Sequence, residues 1–288
     1  MKPGCITLLA FGRAIVAFAG PPAPACRPVP GLAEILASHD VVLVGEMHGT
    51  VESPAFVSSA ACLALHSGRS VTVALEVPIQ EDSRFQRYLA SPGSAADRAA
   101  LLAGAFWQSN YQDGRRSVAM MGLLEVLRRL RSGGAPLRLA LIDAIQEPPT
   151  TGPARDRAMA TRLTEAMAAA PKDLVLVLTG NIHTRIGRGT PWDKDYEPMG
   201  FVLSRIAPGA RIAALDVRYT GGTAWFCLGE QPSSCAVHEV RGGARPAAPR
   251  VTQFAHLSPE GYNGLYFVGR LTASPPAASA WGARKPKL

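Results

Sequence analysis

The feature that most constrains the fold is a regular alternation between short apolar runs and longer amphipathic stretches. Four runs are rich in branched residues and are bounded by polar residues, which is typical of buried strands. They span residues 40–45, 70–77, 137–143 and 173–179. The stretches between and after them have the apolar spacing of helices. The predicted helices span residues 53–66, 79–89, 94–102, 117–131, 153–170 and 198–206.

Strand–helix alternation with unbroken apolar strands predicts an α/β fold, a mostly parallel sheet with helices on both faces. Residues 211–219 and 223–228 resemble a hairpin about Gly221-Gly222, and residues 265–271 a last strand. These segments are expected to extend the sheet at an edge. With 47% apolar and 18% charged residues, residues 31–272 are predicted to form one domain. Residues 273–288 are predicted to be a disordered tail.

The N-terminus has the features of an export signal. Lys2 precedes an apolar stretch that ends in Ala17-Phe18-Ala19, although Arg13 interrupts it. A basic start, a short apolar run and a small-x-small site predict a signal peptide over residues 1–19, with a core or surface helix as the alternative. Residues 20–30 then form a proline-rich linker. The protein is therefore expected to be periplasmic or secreted, with no integral membrane segment beyond the signal peptide.

Cysteine usage agrees with export. Removal of residues 1–19 leaves Cys26, Cys62, Cys227 and Cys235, which allow three pairings. Cys227 and Cys235 flank a turn-like segment, so a hairpin disulfide there is plausible in an oxidising compartment. Cys26 is alternatively a candidate for lipid attachment.

The net charge of +8 comes from arginines scattered over several predicted helices. Scattered arginine is typical of a solvated surface, and no nucleic-acid-binding module accompanies it. A small molecule or a peptide is therefore the expected partner, and no nucleic acid is.

Candidate chemistry lies just beyond the predicted strands, where parallel sheets form their ligand crevice. Glu46 and His48 follow the first strand, Glu76 ends the second, and Asn181 and His183 follow the fourth. Asp143 ends the third strand. Both histidines stand three residues after a glycine, which is expected to let the backbone turn sharply and bring side chains inward.

Two imidazoles and a carboxylate in one crevice permit two chemistries. His48, Glu76 and His183 are candidate ligands of a divalent metal such as Mn, Co or Zn, with an open position for water. Alternatively His48 takes a proton from water without a metal, and Glu46 or Glu76 orients the ring. Asn181 is suited to hold a carbonyl oxygen or a metal-bound water.

Two other groups of residues leave alternatives open. Arg185, Arg188 and Trp192 lie in a glycine-rich loop after His183, which either binds an anionic group or is simply a flexible loop. Phe106 is expected to lie in the core, whereas Trp107 fits a core position or a lid equally well. The remaining histidines are expected to be structural or exposed: His39, His66, His238 and His256.

The segments Gly45-Glu46-Met47-His48 and Gly180-Asn181-Ile182-His183 are two Gly-x-x-His motifs, and Glu76 lies between them. This pattern resembles the superfamily that joins Tiki/TraB proteases, erythromycin esterases and ChaN-type haem-binding lipoproteins, most closely the ChaN-like branch. The helix that begins Arg155-Asp156-Arg157 is similar to a helix of that group. The resemblance covers roughly residues 38–218.

The resemblance implies that His48 is a base or a metal ligand, that Glu76 and His183 complete the site, and that Glu46 supports it. Arg155 would neutralise a substrate carboxylate or an oxyanion, unless it is a solvent-facing helix residue. We therefore predict an exported hydrolase of an ester, lactone or amide bond, assisted by a divalent metal. The alternative is a haem- or tetrapyrrole-binding envelope protein without hydrolytic activity.

Overall fold

The apolar runs of the sequence form the strands of one mixed sheet. The computed structural model describes residues 26–143, 152–245 and 247–281, so the predicted signal peptide and residues 20–25 of the linker lie outside the described residues. Of the four strands first predicted, one has the predicted bounds and three are shifted by one residue. The strands are β1 (Val41–Glu46), β2 (Val71–Pro78), β3 (Leu137–Asp143), β4 (Leu174–Gly180), β5 (Ile212–Cys227), β6 (Cys235–Arg241), β7 (Arg250–Gln253) and β8 (Gly264–Leu271).

The sheet has the order β3-β2-β4-β1-β5-β8-β7, and β6 pairs with β5 outside this path. The pairs β1–β4, β1–β5, β2–β3, β2–β4 and β5–β8 are parallel. The pairs β5–β6 and β7–β8 are antiparallel. The predicted α/β class with additional strands near the C-terminus is therefore confirmed.

Helices cover both faces of the sheet, as predicted. On one face, β1 residues such as Val42 pack with the apolar faces of α2 and α6; on the other, Leu43 packs with α7 and α8. The helix termini follow local signals, since the Ser117 hydroxyl accepts a hydrogen bond at the start of α6 and Pro153 begins α7. The helices are α1 (Leu32–Ser38), α2 (Glu52–His66), α3 (Asp82–Ala90), α4 (Ala95–Leu102), α5 (Ala105–Gln108), α6 (Val118–Ser132), α7 (Pro153–Ala169), α8 (Met199–Ile206) and α9 (Ala277–Ala280).

The predicted hairpin about Gly221-Gly222 is misplaced. Both glycines lie inside the continuous strand β5, and the chain reverses only between β5 and β6. Glycine is needed there because φ is positive at both residues and a Cβ on Gly222 would lie 2.1 Å from the carbonyl oxygen of Leu271. A Gly-Gly pair usually marks a turn. In this strand it accommodates a shift in the pairing register between β5 and β8.

Residues 273–281 differ from the predicted disordered tail. Ser274 and Ala277 are buried, and residues 277–280 form α9. The Ser274 hydroxyl accepts a hydrogen bond from the backbone N–H of Ala119, beside the start of α6. The proline-rich composition of this segment therefore reflects extended chain that packs on the domain rather than disorder.

Two disulfides join the four cysteines beyond the predicted signal peptide. Cys227 pairs with Cys235 across the β5–β6 hairpin, which confirms the predicted hairpin disulfide. Cys26 pairs with Cys62 of α2, so its sulfur is not available for a lipid in this structure, and the lipid-attachment alternative is wrong for this state. Both bridges fit an oxidising compartment. Within the described ranges, every helix is too short or too polar to cross a bilayer.

Candidate active site

The predicted site residues meet at the carboxyl ends of the central strands. Because β4 lies between β2 and β1, the chain segments that carry Glu76, His183 and His48 are brought side by side. The two histidines line a space of about 340 Å³, which we call the crevice. Its lining residues are Glu46, Met47, His48, Asp113, Gly180, Asn181, Ile182, His183 and Phe226.

The glycines that begin the two Gly-x-x-His motifs provide space rather than a sharp turn. Gly45 and Gly180 are the last or nearly the last residues of β1 and β4, and neither has a positive φ. A Cβ on Gly45 would lie 2.4 Å from the Thr184 hydroxyl, and one on Gly180 would lie 3.1 Å from His48 Nε2. The expected sharp turn was therefore the wrong reason for these glycines; close approach of the two motifs is the structural one.

His48 lines the crevice, and each of its ring nitrogens faces a carboxylate. Its Nδ1 lies 2.9 Å from Glu46 Oε1, and a carboxylate can only accept, so Nδ1 carries the proton. Its Nε2 lies 3.5 Å from Glu76 Oε2. Burial opposes a charge on the ring, but the Glu76 and Glu46 carboxylates outweigh it and raise the pKa of His48 above its usual value.

His183 has both ring nitrogens engaged. Nδ1 lies 2.7 Å from Asp156 Oδ1, and Nε2 lies 3.0 Å from Arg155 Nη1. A guanidinium can only donate, so the proton is on Nδ1 and Nε2 accepts from Arg155. Asp156 is fully buried and also accepts hydrogen bonds from the Tyr196 hydroxyl and the Met199 backbone. His183 is therefore held rigidly and has no free ring nitrogen.

Glu76 is the electrostatic centre of the site. Its Oε1 accepts from Arg155 Nη2 at 2.6 Å, and its Oε2 accepts from the Gly180 backbone N–H at 2.8 Å. Burial alone would raise the pKa of Glu76, but electrostatic interactions with the two histidines and with the guanidinium groups of Arg115 and Arg155 hold that pKa well below its usual value. The carboxylate is therefore ionised and structurally fixed.

Arg155 faces the site and not the solvent. Besides His183 and Glu76, its guanidinium donates to Asp143 Oδ1 and Oδ2 at 2.9 and 2.8 Å. All of its nitrogens thus have protein partners. Four of its five N–H groups are used in these contacts, which fix the carboxylates and His183. Its predicted contact with a substrate carboxylate or an oxyanion stays a prediction.

Sequence reasoning missed three charged residues of the site. Arg115 donates to Asp143 Oδ2 at 3.0 Å and lies 3.4 Å from Glu76 Oε1, while Asp113 holds the other end of its guanidinium. Asp156, the partner of His183, is the third. Asp156 follows Arg155 in the helix signature and could have been found there; residues 113–115 follow no predicted strand, and nothing in the local pattern marks them.

The remaining predictions divide between surface and core. Asn181 is exposed on the crevice wall, and its backbone carbonyl accepts from the Tyr262 hydroxyl. Phe106 and Trp107 are both buried, so this aromatic pair is core and not a lid.

The arrangement does not favour a divalent metal at His48, Glu76 and His183. The Arg155 guanidinium occupies the position between His183 Nε2 and Glu76 Oε1, and a metal would have to displace this cation. Among the described residues, the group whose donor atoms lie within metal-binding reach is elsewhere: Cys26, Cys62 and His66. Two of those ligands are joined in a disulfide.

Haem binding stays a prediction. A haem iron needs an axial ligand, which in proteins is a His, Met, Cys or Tyr side chain. Of the two imidazoles, His48 is the one whose Nε2 makes no hydrogen bond with another described residue, whereas Arg155 donates to that of His183. Nothing else among the contacts of the crevice favours a tetrapyrrole over another ligand.

Comparisons with known proteins identify the fold. A scan against protein-family models finds no match, and a search of curated proteins finds none either. Among solved structures, an erythromycin esterase variant in its open conformation matches with a TM-score of 0.62 and 12% identity, over 85% of this chain and 94% of that chain. A succinoglycan biosynthesis protein matches with a TM-score of 0.60 and 11% identity, over 84% and 91%. ChaN of Campylobacter jejuni, described with cofacially bound haem, matches with a TM-score of 0.45 and 13% identity, over 73% of this chain and 89% of that chain.

The predicted resemblance is therefore confirmed at the level of the fold. At these identities the first two matches show a shared architecture, and any activity has to be argued from the site itself.

Proposed function

We propose that this protein is an exported hydrolase that cleaves an ester, lactone or amide bond, with His48 as general base and without a metal. The observation that carries the proposal is the state of His48. Its Nδ1–H is held by Glu46, its Nε2 lies 3.5 Å from Glu76 Oε2, and its ring lines the crevice in which a water molecule and a carbonyl group would meet.

The proposed first step is attack by water on the scissile carbonyl carbon. His48 Nε2 takes a proton from the water as the new C–O bond forms, and the carbonyl electron pair moves onto its oxygen. Glu46 and Glu76 stabilise the imidazolium that results, because both carboxylates face the ring. This favours the charged ring of the transition state over the neutral ring of the resting enzyme.

The side-chain amide of Asn181 is the proposed donor to the developing oxyanion. It lies on the crevice wall within the same segment that carries His183. In the second step the tetrahedral intermediate collapses, the bond to the leaving group breaks, and the imidazolium returns its proton to the leaving oxygen or nitrogen. Atoms balance with one water consumed.

The buried ion network is proposed to hold this geometry. Arg155 and Arg115 clamp Glu76 and Asp143 from two sides, so the floor of the crevice cannot collapse or reorganise when charge develops. His183 belongs to this network as a positioning residue, since its Nε2 is occupied by Arg155.

Export is the compartment proposed for this chemistry. The two disulfides need an oxidising environment to persist, and the N-terminal sequence has the charge and apolar pattern of a signal peptide.

The test is a hydrolysis screen of the oxidised, full chain against p-nitrophenyl esters, lactones and p-nitroanilides, with and without a chelator. We expect turnover of at least one class that persists in chelator. His48→Ala is expected to lower kcat/KM by about 10²–10⁴-fold, the usual contribution of a general base. The matched control is His256→Ala, at an exposed histidine outside the crevice.

Turnover that His48→Ala leaves intact, or turnover that disappears with chelator and returns with a divalent metal, would contradict the mechanism. A Soret band that follows haem addition and is lost in His48→Ala, together with no hydrolysis in any class, would replace it with the haem-binding alternative.

A further inference from the structure

A second cleft of about 320 Å³ adjoins the crevice, and the two share Asn181 and Ile182 as lining residues. We call it the Arg185 cleft. Its walls come from the loop after β4, from β5 and from the segment before β8. The charged and aromatic residues that line it are Arg185, Asp216, Arg218, Arg241, Glu260 and Tyr262.

Arg185 is unusual because it is buried without a hydrogen bond or an ion pair to a carboxylate among the described residues. Only 8% of the residue is exposed, and its Nε–H is enclosed without a hydrogen-bond acceptor. The centroid of the Tyr262 ring lies 5.8 Å from its guanidinium carbon. A buried, unpaired charge costs stability, so such a residue is retained where something else compensates it.

The acidic residues of the cleft attract Arg185 electrostatically, but within the described part of the chain neither forms an ion pair with it. Asp216 forms an ion pair with Arg218, and Glu260 lies 3.9 Å from the same guanidinium. Arg218 is therefore the direct ion-pair partner of both carboxylates of the cleft. Arg241 is exposed on the rim. The lining set of three arginines and two acids keeps one positive charge in excess, at a residue whose planar donors suit an oxyanion.

Arg185 is also tied to the crevice. The Tyr262 ring that it contacts carries the hydroxyl that donates to the Asn181 backbone carbonyl at 2.6 Å. A group bound at Arg185 would thus lie next to the segment that forms the crevice wall. One ligand can occupy both spaces, with its reacting bond in the crevice and another part in the Arg185 cleft.

We propose that Arg185 is the centre of an oxyanion-binding subsite, and that the ligand of this protein carries a carboxylate or phosphate group beyond the bond at His48. Anion binding itself does not depend on the hydrolytic proposal; the assignment of the anion to a substrate rests on it.

The first experiment measures anion binding without turnover. The full, oxidised chain is titrated with sodium phosphate and, separately, with sodium succinate at constant ionic strength, and its Tm is followed. We expect one of the two to raise Tm by about 3–5 °C at concentrations well above its Kd. The anion with the larger shift identifies whether the subsite prefers phosphate or carboxylate.

Arg185→Gln is expected to abolish that rise. The matched control is Arg188→Gln in the same loop, an exposed arginine 3.6 Å from Asp195, which should keep the full rise. If Arg185→Gln does not fold, Arg185→Lys keeps the charge but not the planar fork and should weaken binding about tenfold. A rise that is equal in all variants, or no rise in the wild type, would overturn the subsite.

The second experiment joins the subsite to hydrolysis. Two p-nitrophenyl esters of similar length are compared, one with a neutral acyl chain and one with a terminal carboxylate, together with a phosphate-bearing ester. In Arg185→Gln the ratio of kcat/KM for the anionic over the neutral ester should fall about 10–100-fold, as expected when a hydrogen bond to a charged group is lost. An unchanged ratio would contradict substrate recognition at Arg185.

The two proposals fail separately. Anion binding at Arg185 without any hydrolysis dependent on His48 would leave the subsite and remove the hydrolase. Hydrolysis that depends on His48 but does not respond to Arg185→Gln would keep the hydrolase and remove the subsite.

Discussion

Arg155 and Arg185 are both largely withdrawn from solvent at neighbouring clefts, yet their surroundings are opposite. Arg155 donates to Glu76, Asp143 and His183, so its charge is matched within the protein. Arg185 has an aromatic ring beside it and, among the described residues, no hydrogen bond or ion pair to a carboxylate. The difference indicates that Arg155 stabilises the structure around the crevice, whereas Arg185 is available to bind a ligand.

This comparison also separates chemistry from recognition. At the crevice, the charged network surrounds the proposed base, and His48 Nε2 lies 3.5 Å from Glu76 Oε2. In the Arg185 cleft, the atom without a partner is a donor with a positive charge. A resting protein tolerates such an atom where a substrate or ligand completes it.

The largest effect that would test the comparison is on stability. Arg155→Met should lower the free energy of unfolding by about 3–5 kcal/mol, because it strands the buried carboxylates of Glu76 and Asp143. Arg185→Met should stay within about 1 kcal/mol of the wild type, since it removes an unpaired charge and keeps an apolar stem of similar length. Urea unfolding of both variants in anion-free buffer measures this; equal losses would break the distinction between the two arginines.

A smaller effect, on kcat/KM, is expected from a substitution of Gly180, which begins the second Gly-x-x-His motif. Gly180→Ala would place a methyl group 3.1 Å from His48 Nε2, so the ring must shift by a few tenths of an ångström. We expect kcat/KM to fall about tenfold, because general-base catalysis depends on position. Anion binding, measured by the rise in Tm, should persist because Gly180 does not line the Arg185 cleft. A variant that loses both hydrolytic activity and anion binding would show that the crevice and the Arg185 cleft are not independent.

The smallest expected effect is a shift in the pH dependence of kcat/KM. His48 must be neutral to act as a base, so kcat/KM should rise with pH through its pKa, which lies above the usual value. Glu46→Gln removes a carboxylate that favours the charged ring, so the pKa falls and the rising limb moves to lower pH. The pH dependence of anion binding should not change, because Glu46 lies outside the Arg185 cleft. A limb that stays in place or moves to higher pH would rule out His48 as the titrating base.

The architecture could be predicted because its signals are local. Runs such as residues 137–143 and 173–179 carry the branched, apolar residues that form buried strands, and observed bounds differ by at most one residue. Glu76 and the two Gly-x-x-His motifs could be predicted for the same reason, since the ends of parallel strands meet at one edge of the sheet. The Gly221-Gly222 turn was misplaced because the same dipeptide serves a turn or an irregular strand, and only the neighbouring strand decides between them.

What each charged group does was decided by the tertiary structure. Whether Arg155 would contact a substrate or a protein carboxylate depends on Glu76 and Asp143, which come from other strands and whose distances no local pattern encodes. The same holds for the proton on His183, which Asp156 and Arg155 fix, and for the missing partner of Arg185. Apolar periodicity determined the strands because burial acts on each segment by itself. Ion pairing is determined by distances of a few ångströms between residues that are far apart in the chain. Those distances exist only after folding.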